Sequence, residues 1–228
     1  MRIKLYGIQR SGTNYVERLL RDNYDCKVLV SELGSKHDHC MLGQYPARSC
    51  DCALVVVKSL HAWLVSMWRY CQVVGDWHPH ARPWPLFLVS PLGLRAGEDV
   101  VRWHATPAWA WRWMYHSWLT AAESSLVPFR FVAYEHLLTP QAAELELTGV
   151  GDAPRLRRLP TGWKHPAGKM SVHAEDTKRP FDGTYYSEHR YLAHYQADDL
   201  RVVDLQTDHD LVAVLGYDRV QVPGPAGC

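Results

Sequence analysis

Two short runs in this chain carry the residue types needed to hold an anion and to move a proton. Gly7-Ile8-Gln9-Arg10-Ser11-Gly12-Thr13-Asn14 has a glycine at each end, an arginine inside and hydroxyls at Ser11 and Thr13. Glycines let a backbone turn tightly and aim several N–H groups at one anion. A helix starting just after them would add its positive end. Arg10 supplies a full charge, so the run has the composition of a phosphate cradle rather than of a plain turn. The second run is Ser35-Lys36-His37-Asp38-His39. An imidazole titrates near neutral pH, which makes His37, and after it His39, a candidate general base, with the cation of Lys36 beside it. His37, His39, Cys40, Cys50 and Cys52 are also metal-ligand types in close sequence. Their spacing fits no common zinc module, and Cys52 abuts an apolar strand, so we expect buried thiols, surface histidines and no metal.

These residues need a frame, and the apolar pattern predicts one. Ile3 and Leu5 suit a short buried strand ending at Gly7; Val16, Leu19 and Leu20 recur at helical spacing; residues 26–30 read as a second strand. A polar loop covers 31–51. Residues 53–57, Ala-Leu-Val-Val-Val, read as a central parallel strand, and Leu60, Trp63, Leu64, Met67 and Cys71 mark the helix after it. Four prolines lie within 73–97, which reads as an irregular insertion. Residues 98–126 return to helical character, broken at Pro107, with Trp111, Met114, Tyr115 and Trp118 on one face. Phe129, Phe131 and Val132 form a further strand ending at Tyr134. Thr139-Pro140 opens a short helix, residues 154–183 form a second long loop, and 185–196 and 208–215 are the closing helices, with Asp208 as N-cap and Gly216 as stop. Alternating strands and helices predict an α/β fold of three layers, a central parallel sheet flanked by helices. Ligands of such sheets bind at the carboxyl ends of the strands, where the loops after Tyr6, Val57 and Tyr134 lie.

The first loop has the glycine spacing of the nucleoside triphosphate pattern G-x-x-x-x-G-K-[ST], but Thr13 stands where the lysine belongs. That counts against triphosphate hydrolysis. Arg10-Ser11-Gly12-Thr13 after a strand instead resembles the 5′-phosphosulfate loop of the sulfotransferases that use 3′-phosphoadenosine 5′-phosphosulfate. Lys58-Ser59-Leu60-His61-Ala62-Trp63-Leu64-Val65-Ser66 resembles the second signature of that family, in which a basic residue and a serine eight positions on share the 3′-phosphate. Tyr134-Glu135-His136-Leu137-Leu138 resembles its Y-E-D-L segment, and Leu215-Gly216-Tyr217 its usual ending. The resemblance implies a P-loop-type fold with Arg10, Ser11, Gly12, Thr13 and Asn14 on the 5′-phosphosulfate. It implies Lys58 and Ser66 on the 3′-phosphate, and Tyr15 and Tyr134 on the adenine. Lys178 and Arg179 would echo the family's late basic segment. It further implies sulfuryl transfer to a hydroxyl or amine, with Arg10 stabilising the leaving phosphate, Lys36 assisting it and His37 as base. His39 and Glu32 are the alternative bases. The chain departs from the family at Lys58, usually arginine, at Leu60, where proline is common, and at Asn14-Tyr15, where the cytosolic branch has Thr-Trp.

Composition narrows the classes that remain. The 228 residues hold 25 Lys+Arg and 24 Asp+Glu, a net charge of +1, with 47% hydrophobic and 21% charged residues. This is a globular balance, and it disfavours a nucleic-acid or anionic-membrane binder. We expect one domain over 1–222 with a Trp- and Pro-rich insertion at about 72–118, a frayed tail over 223–228, free cysteines and a cytoplasmic location. Ten tryptophans are many for this length. Trp111 and Trp118 suit a core, whereas Trp77, Trp84 and Trp103 are candidates to line the pocket of a small, aromatic or apolar acceptor. Two other readings stay open: a P-loop kinase or NTPase acting on a small molecule, and a non-catalytic nucleotide- or metal-binding module.

Overall fold

The computed structural model describes residues 1–38, 49–74, 83–95, 101–150, 159–160 and 183–222. Strands β1 (Arg2–Tyr6), β2 (Lys27–Leu29), β3 (Cys52–Val57) and β6 (Phe129–Ala133) form a parallel sheet in the order β2-β1-β3-β6. Ile3 pairs with Val28, Leu5 with Leu54 and Val55 with Phe131. All six residues of β3 are buried, as its unbroken apolar run predicts for an inner strand of a parallel sheet.

Strand side chains alternate, so the sheet has two apolar faces and each needs a cover. On one, Ile3, Leu5, Leu54 and Val56 meet Val16, Leu19 and Leu20 of α1 (Thr13–Asn23) and Ala143 of α5 (Pro140–Glu146). On the other, Tyr6, Val55 and Val57 meet Trp63, Leu64 and Met67 of α2 (Leu60–Val74) and Trp111, Tyr115 and Trp118 of α4 (Pro107–Ser124). The fold is therefore α/β, with a central four-stranded parallel sheet flanked by helices. Among the described residues no helix is long and apolar enough to cross a membrane. Cys26, Cys50, Cys52 and Cys71 are free thiols, the last three buried; burial pushes the Cys71 thiol up to about 12.

Three stretches differ from the sequence expectation. The described part of the proline-rich insertion is regular: α3 (Trp84–Leu88) follows Pro83, and β4 (Leu92–Arg95) pairs antiparallel with β5 (Val101–His104). The helix expected from 98 thus begins at Pro107, which opens α4 behind the Thr106 N-cap instead of breaking it. Proline is tolerated at a first helical position because its missing N–H would have had no partner there. The single helix expected over 185–196 is α6 (Thr184–Ser187) and a 3-10 turn (Arg190–His194), and the main helix, α7 (Ala197–Gln206), follows it. Its capping box, Gln196 with Asp199, marks that start. The last helix, α8 (His209–Val214), keeps Asp208 as N-cap, and Gly216 turns the chain at φ 82°.

Candidate functional site

The loop between β1 and α1 is built around backbone conformations that few residues adopt. Gly12 has φ 99°, and a Cβ there would stand 2.2 Å from Cδ2 of Tyr134. Space is also tight at Gly7, where a Cβ would meet Ser11 Oγ and Thr13 Cγ2, both at 2.6 Å. Arg10 itself has φ 69°. The Trp63 indole N–H donates to the Gln9 carbonyl at 2.7 Å and ties the loop to α2.

Inside this turn, Arg10 Nε and Ser11 Oγ are sealed from solvent with no hydrogen-bond partner among the described residues. Burial pulls the Arg10 guanidinium below its usual range, opposed by Tyr186, Tyr70 and Tyr134; the guanidinium lies 5.2 Å over the Tyr70 ring. Buried polar groups are normally paired. An arginine N–H and a hydroxyl from consecutive residues, both without a partner among the described residues, fit an anion held by this loop beside the N-terminus of α1. The residues present therefore suit a phosphate or phosphosulfate group.

The run from Lys36 to His37 docks onto this loop through Gly7. The Gly7 N–H donates to the Lys36 carbonyl at 3.0 Å, and the His37 Nδ1–H donates to the Gly7 carbonyl at 2.7 Å. A carbonyl can only accept, so the proton sits on Nδ1 and Nε2 keeps its lone pair. Burial, with smaller effects of the cations Lys36, Arg10 and Lys4 against the Gly7 hydrogen bond, pulls the His37 imidazole down to about 4. It is neutral at physiological pH. The Lys36 ammonium donates to Asn14 Oδ1 and pairs with Glu17 at 3.5 Å; burial lowers its pKa.

Lys58 follows β3 and is 2% exposed. Its Nζ donates to the Tyr186 hydroxyl at 3.1 Å and lies over the rings of Tyr186 and Tyr134 at 4.4 and 4.9 Å. The Tyr134 ring packs on Gly12 and edge-on to Tyr15 at 5.7 Å. The Tyr15 hydroxyl donates to the Leu137 carbonyl at 2.9 Å, and burial raises its pKa to about 12. Ser66 is half-buried in α2, about 9 Å along the helix from Leu60.

The structure thus gathers Arg10, Ser11, Gly12, Thr13, Asn14, Tyr15, Lys36, His37, Lys58 and Tyr134 at the carboxyl ends of β1 and β3. Lys178, Arg179, His39, Cys40 and Trp77 lie outside the described residues. Glu32 points elsewhere: its carboxylate is exposed and pairs with Lys27 at 3.7 Å. Trp84 packs in the core, 9% exposed with its indole N–H on Asp199 at 3.2 Å, whereas Trp103 is 53% exposed on β5. Among the described residues no three His, Cys, Asp or Glu side chains gather as metal ligands.

Several site residues were not singled out in the sequence. Tyr186 and Tyr70 carry no motif. Glu135 accepts from the Ser59 N–H at 3.1 Å and the Tyr217 hydroxyl at 2.7 Å, joining the segments at 58–66, 134–138 and 215–217. Lys4 could have been found, as a charge between Ile3 and Leu5 in an apolar strand. Comparisons with protein-family models, curated proteins and solved structures find no match to this chain.

Proposed function

We propose that this chain has a P-loop-type fold and is a sulfotransferase. It would move a sulfuryl group from 3′-phosphoadenosine 5′-phosphosulfate to the hydroxyl or amine of a small acceptor. The observation that carries the reading is a pair of buried groups, Arg10 Nε and Ser11 Oγ, that have no hydrogen-bond partner among the described residues, in a glycine-bounded loop onto which a neutral histidine docks.

In this reading the loop N–H groups, Arg10, Ser11 and Thr13 hold the 5′-phosphosulfate. Their fixed dipoles offset the charge that grows on the bridging oxygen as its bond to sulfur breaks. His37 Nε2 takes the acceptor's proton as the new bond from acceptor to sulfur forms, and adenosine 3′,5′-bisphosphate leaves. Lys36, beside Asn14, adds positive charge on the leaving side. Lys58 and Ser66 take the 3′-phosphate, with Tyr15 and Tyr134 toward the base. A phosphate reaches the Lys58 ammonium only when Tyr186 turns away, since Tyr186 now covers it. None of these roles calls for a metal ion, and the expected partners are small molecules.

The test is transfer from labelled 3′-phosphoadenosine 5′-phosphosulfate to a panel of phenols, alcohols and amines. Wild type should release adenosine 3′,5′-bisphosphate and label an acceptor, and Arg10→Ala and His37→Ala should each lower the rate by roughly 100-fold or more. Magnesium-dependent ATP turnover with no bisphosphate release would overturn the proposal in favour of a kinase or NTPase. Bisphosphate binding without any transfer would leave a nucleotide-binding module.

A further inference from the structure

Lys4 lies on β1, an inner strand, opposite Leu29 of β2 and Ala53 of β3, and is 0% exposed. Its ammonium donates to three carbonyls of one loop: Gly34 at 2.6 Å, Glu32 at 2.9 Å and Val30 at 3.4 Å. It also lies 5.0 Å over the Tyr6 ring. The turn that presents these carbonyls is strained, because Leu33 has φ 65° next to Gly34 at 91°. Left-handed backbone at a non-glycine residue is unfavourable, and charge-assisted hydrogen bonds to a buried ammonium offset it.

That turn leads straight into the candidate base. The Ser35 N–H donates to Asp38 Oδ2 at 2.8 Å, the Asp38 N–H to the Ser35 carbonyl at 3.0 Å, and the Trp118 indole to the Asp38 carbonyl at 3.1 Å. Between these anchors hang the two Gly7 bonds that hold Lys36 and His37. The run 30–38 is thus pinned at Lys4 on one side and at Gly7 and Trp118 on the other.

We propose that Lys4 is the positioning residue for His37: its ammonium gathers the carbonyls of Val30, Glu32 and Gly34 so that the imidazole lands on the Gly7 carbonyl with Nε2 unprotonated. The catalytic meaning of this placement rests on the sulfotransferase reading, but the placement itself is read without any turnover. Among the described residues the charged groups that act on the His37 ring are Lys36, Arg10 and Lys4, all cationic.

The experiment is nitrogen-15 NMR of the histidine rings in wild type, Lys4→Met and Lys4→Gln, with thermal melts to show folding. Wild type should show His37 as the Nδ1–H tautomer. Folded Lys4→Met should show mixed tautomers at His37 and a titration moved toward the ordinary histidine range. A raised titration with the Nδ1–H tautomer intact would mean that Lys4 acts only through its charge, and would overturn the assignment, as would an unmoved His37. If Lys4→Met does not fold, Lys4→Gln, which keeps fewer donors for the three carbonyls, is judged by the same two results. In the transfer assay Lys4→Met should lose roughly tenfold or more in kcat while the nucleotide KM stays within about twofold. Absence of transfer from wild type, with His37 displaced in Lys4→Met, would overturn the sulfotransferase reading and leave the placement standing.

Discussion

Gly12 and Arg10 both occupy left-handed backbone, at φ 99° and 69°, and only one of them is a residue for which that conformation is free. The strain at Arg10 is of the kind that persists where a loop is shaped for a ligand. Gly12→Ala would meet both the torsion and the Tyr134 ring, so it should destabilise the protein by about 2 kcal/mol or more in a urea melt. An unchanged midpoint would mean that the loop is not closed under Tyr134. The histidines make a second prediction. Burial holds His37 and His61 each down to about 4, against about 6.5 for an unfolded chain. As pH falls from 6.5 to 4, the unfolded state takes up protons that the folded state refuses, so stability falls across that window and is fully present above it. The melting temperature should drop on acidification there, and less so in a His37→Gln, His61→Gln double variant; a slope equal in the two proteins contradicts the assignment.

At the scale of elements, the site depends on three loops meeting where β1, β3 and β6 end. Glu135 is the joint, since its carboxylate takes the first N–H of the turn into α2 and the hydroxyl of Tyr217, which also reaches the Val57 carbonyl at 3.3 Å. Tyr217→Phe should cost about 1–2 kcal/mol by leaving these acceptors short of a donor, measured by denaturant unfolding, and a neutral result would show that the joint is not needed. The elements legible in the sequence were those with a strong period or punctuation: β1, β3, α1, α2, the Thr139 and Asp208 caps and the Gly216 stop. Those missed share a physical cause. Residues 84–107 carry prolines that read as breaks, but Pro85 sits inside the first turn of α3 and Pro107 opens α4, where no N–H is wanted. Gly93 and Leu94 gain strand conformation only by pairing with Trp103 and Arg102, a partnership no local pattern announces. Likewise the loop at 7–13 and the candidate base His37 could be picked out by residue type, and Lys4 as a charge in an apolar strand, whereas Tyr70 and Tyr186 join the site only through tertiary contact.

For the whole molecule, the sheet brings two cations, Arg10 after β1 and Lys58 after β3, to the same end of adjacent strands, Arg10 against the Tyr70 ring and Lys58 against those of Tyr134 and Tyr186. Adjacent parallel strands with ends at one level make that placement a consequence of topology, and two separated cations suit a ligand with two separated anionic groups. The most direct measurement is calorimetric binding of adenosine 3′,5′-bisphosphate, AMP and ATP to wild type and to Lys58→Ala. Wild type should prefer the bisphosphate over AMP by about tenfold or more, equivalent to about 1.4 kcal/mol, and Lys58→Ala should lose that preference while still binding AMP. Equal affinity for all three nucleotides, or a preference for ATP that survives in Lys58→Ala, would contradict the account.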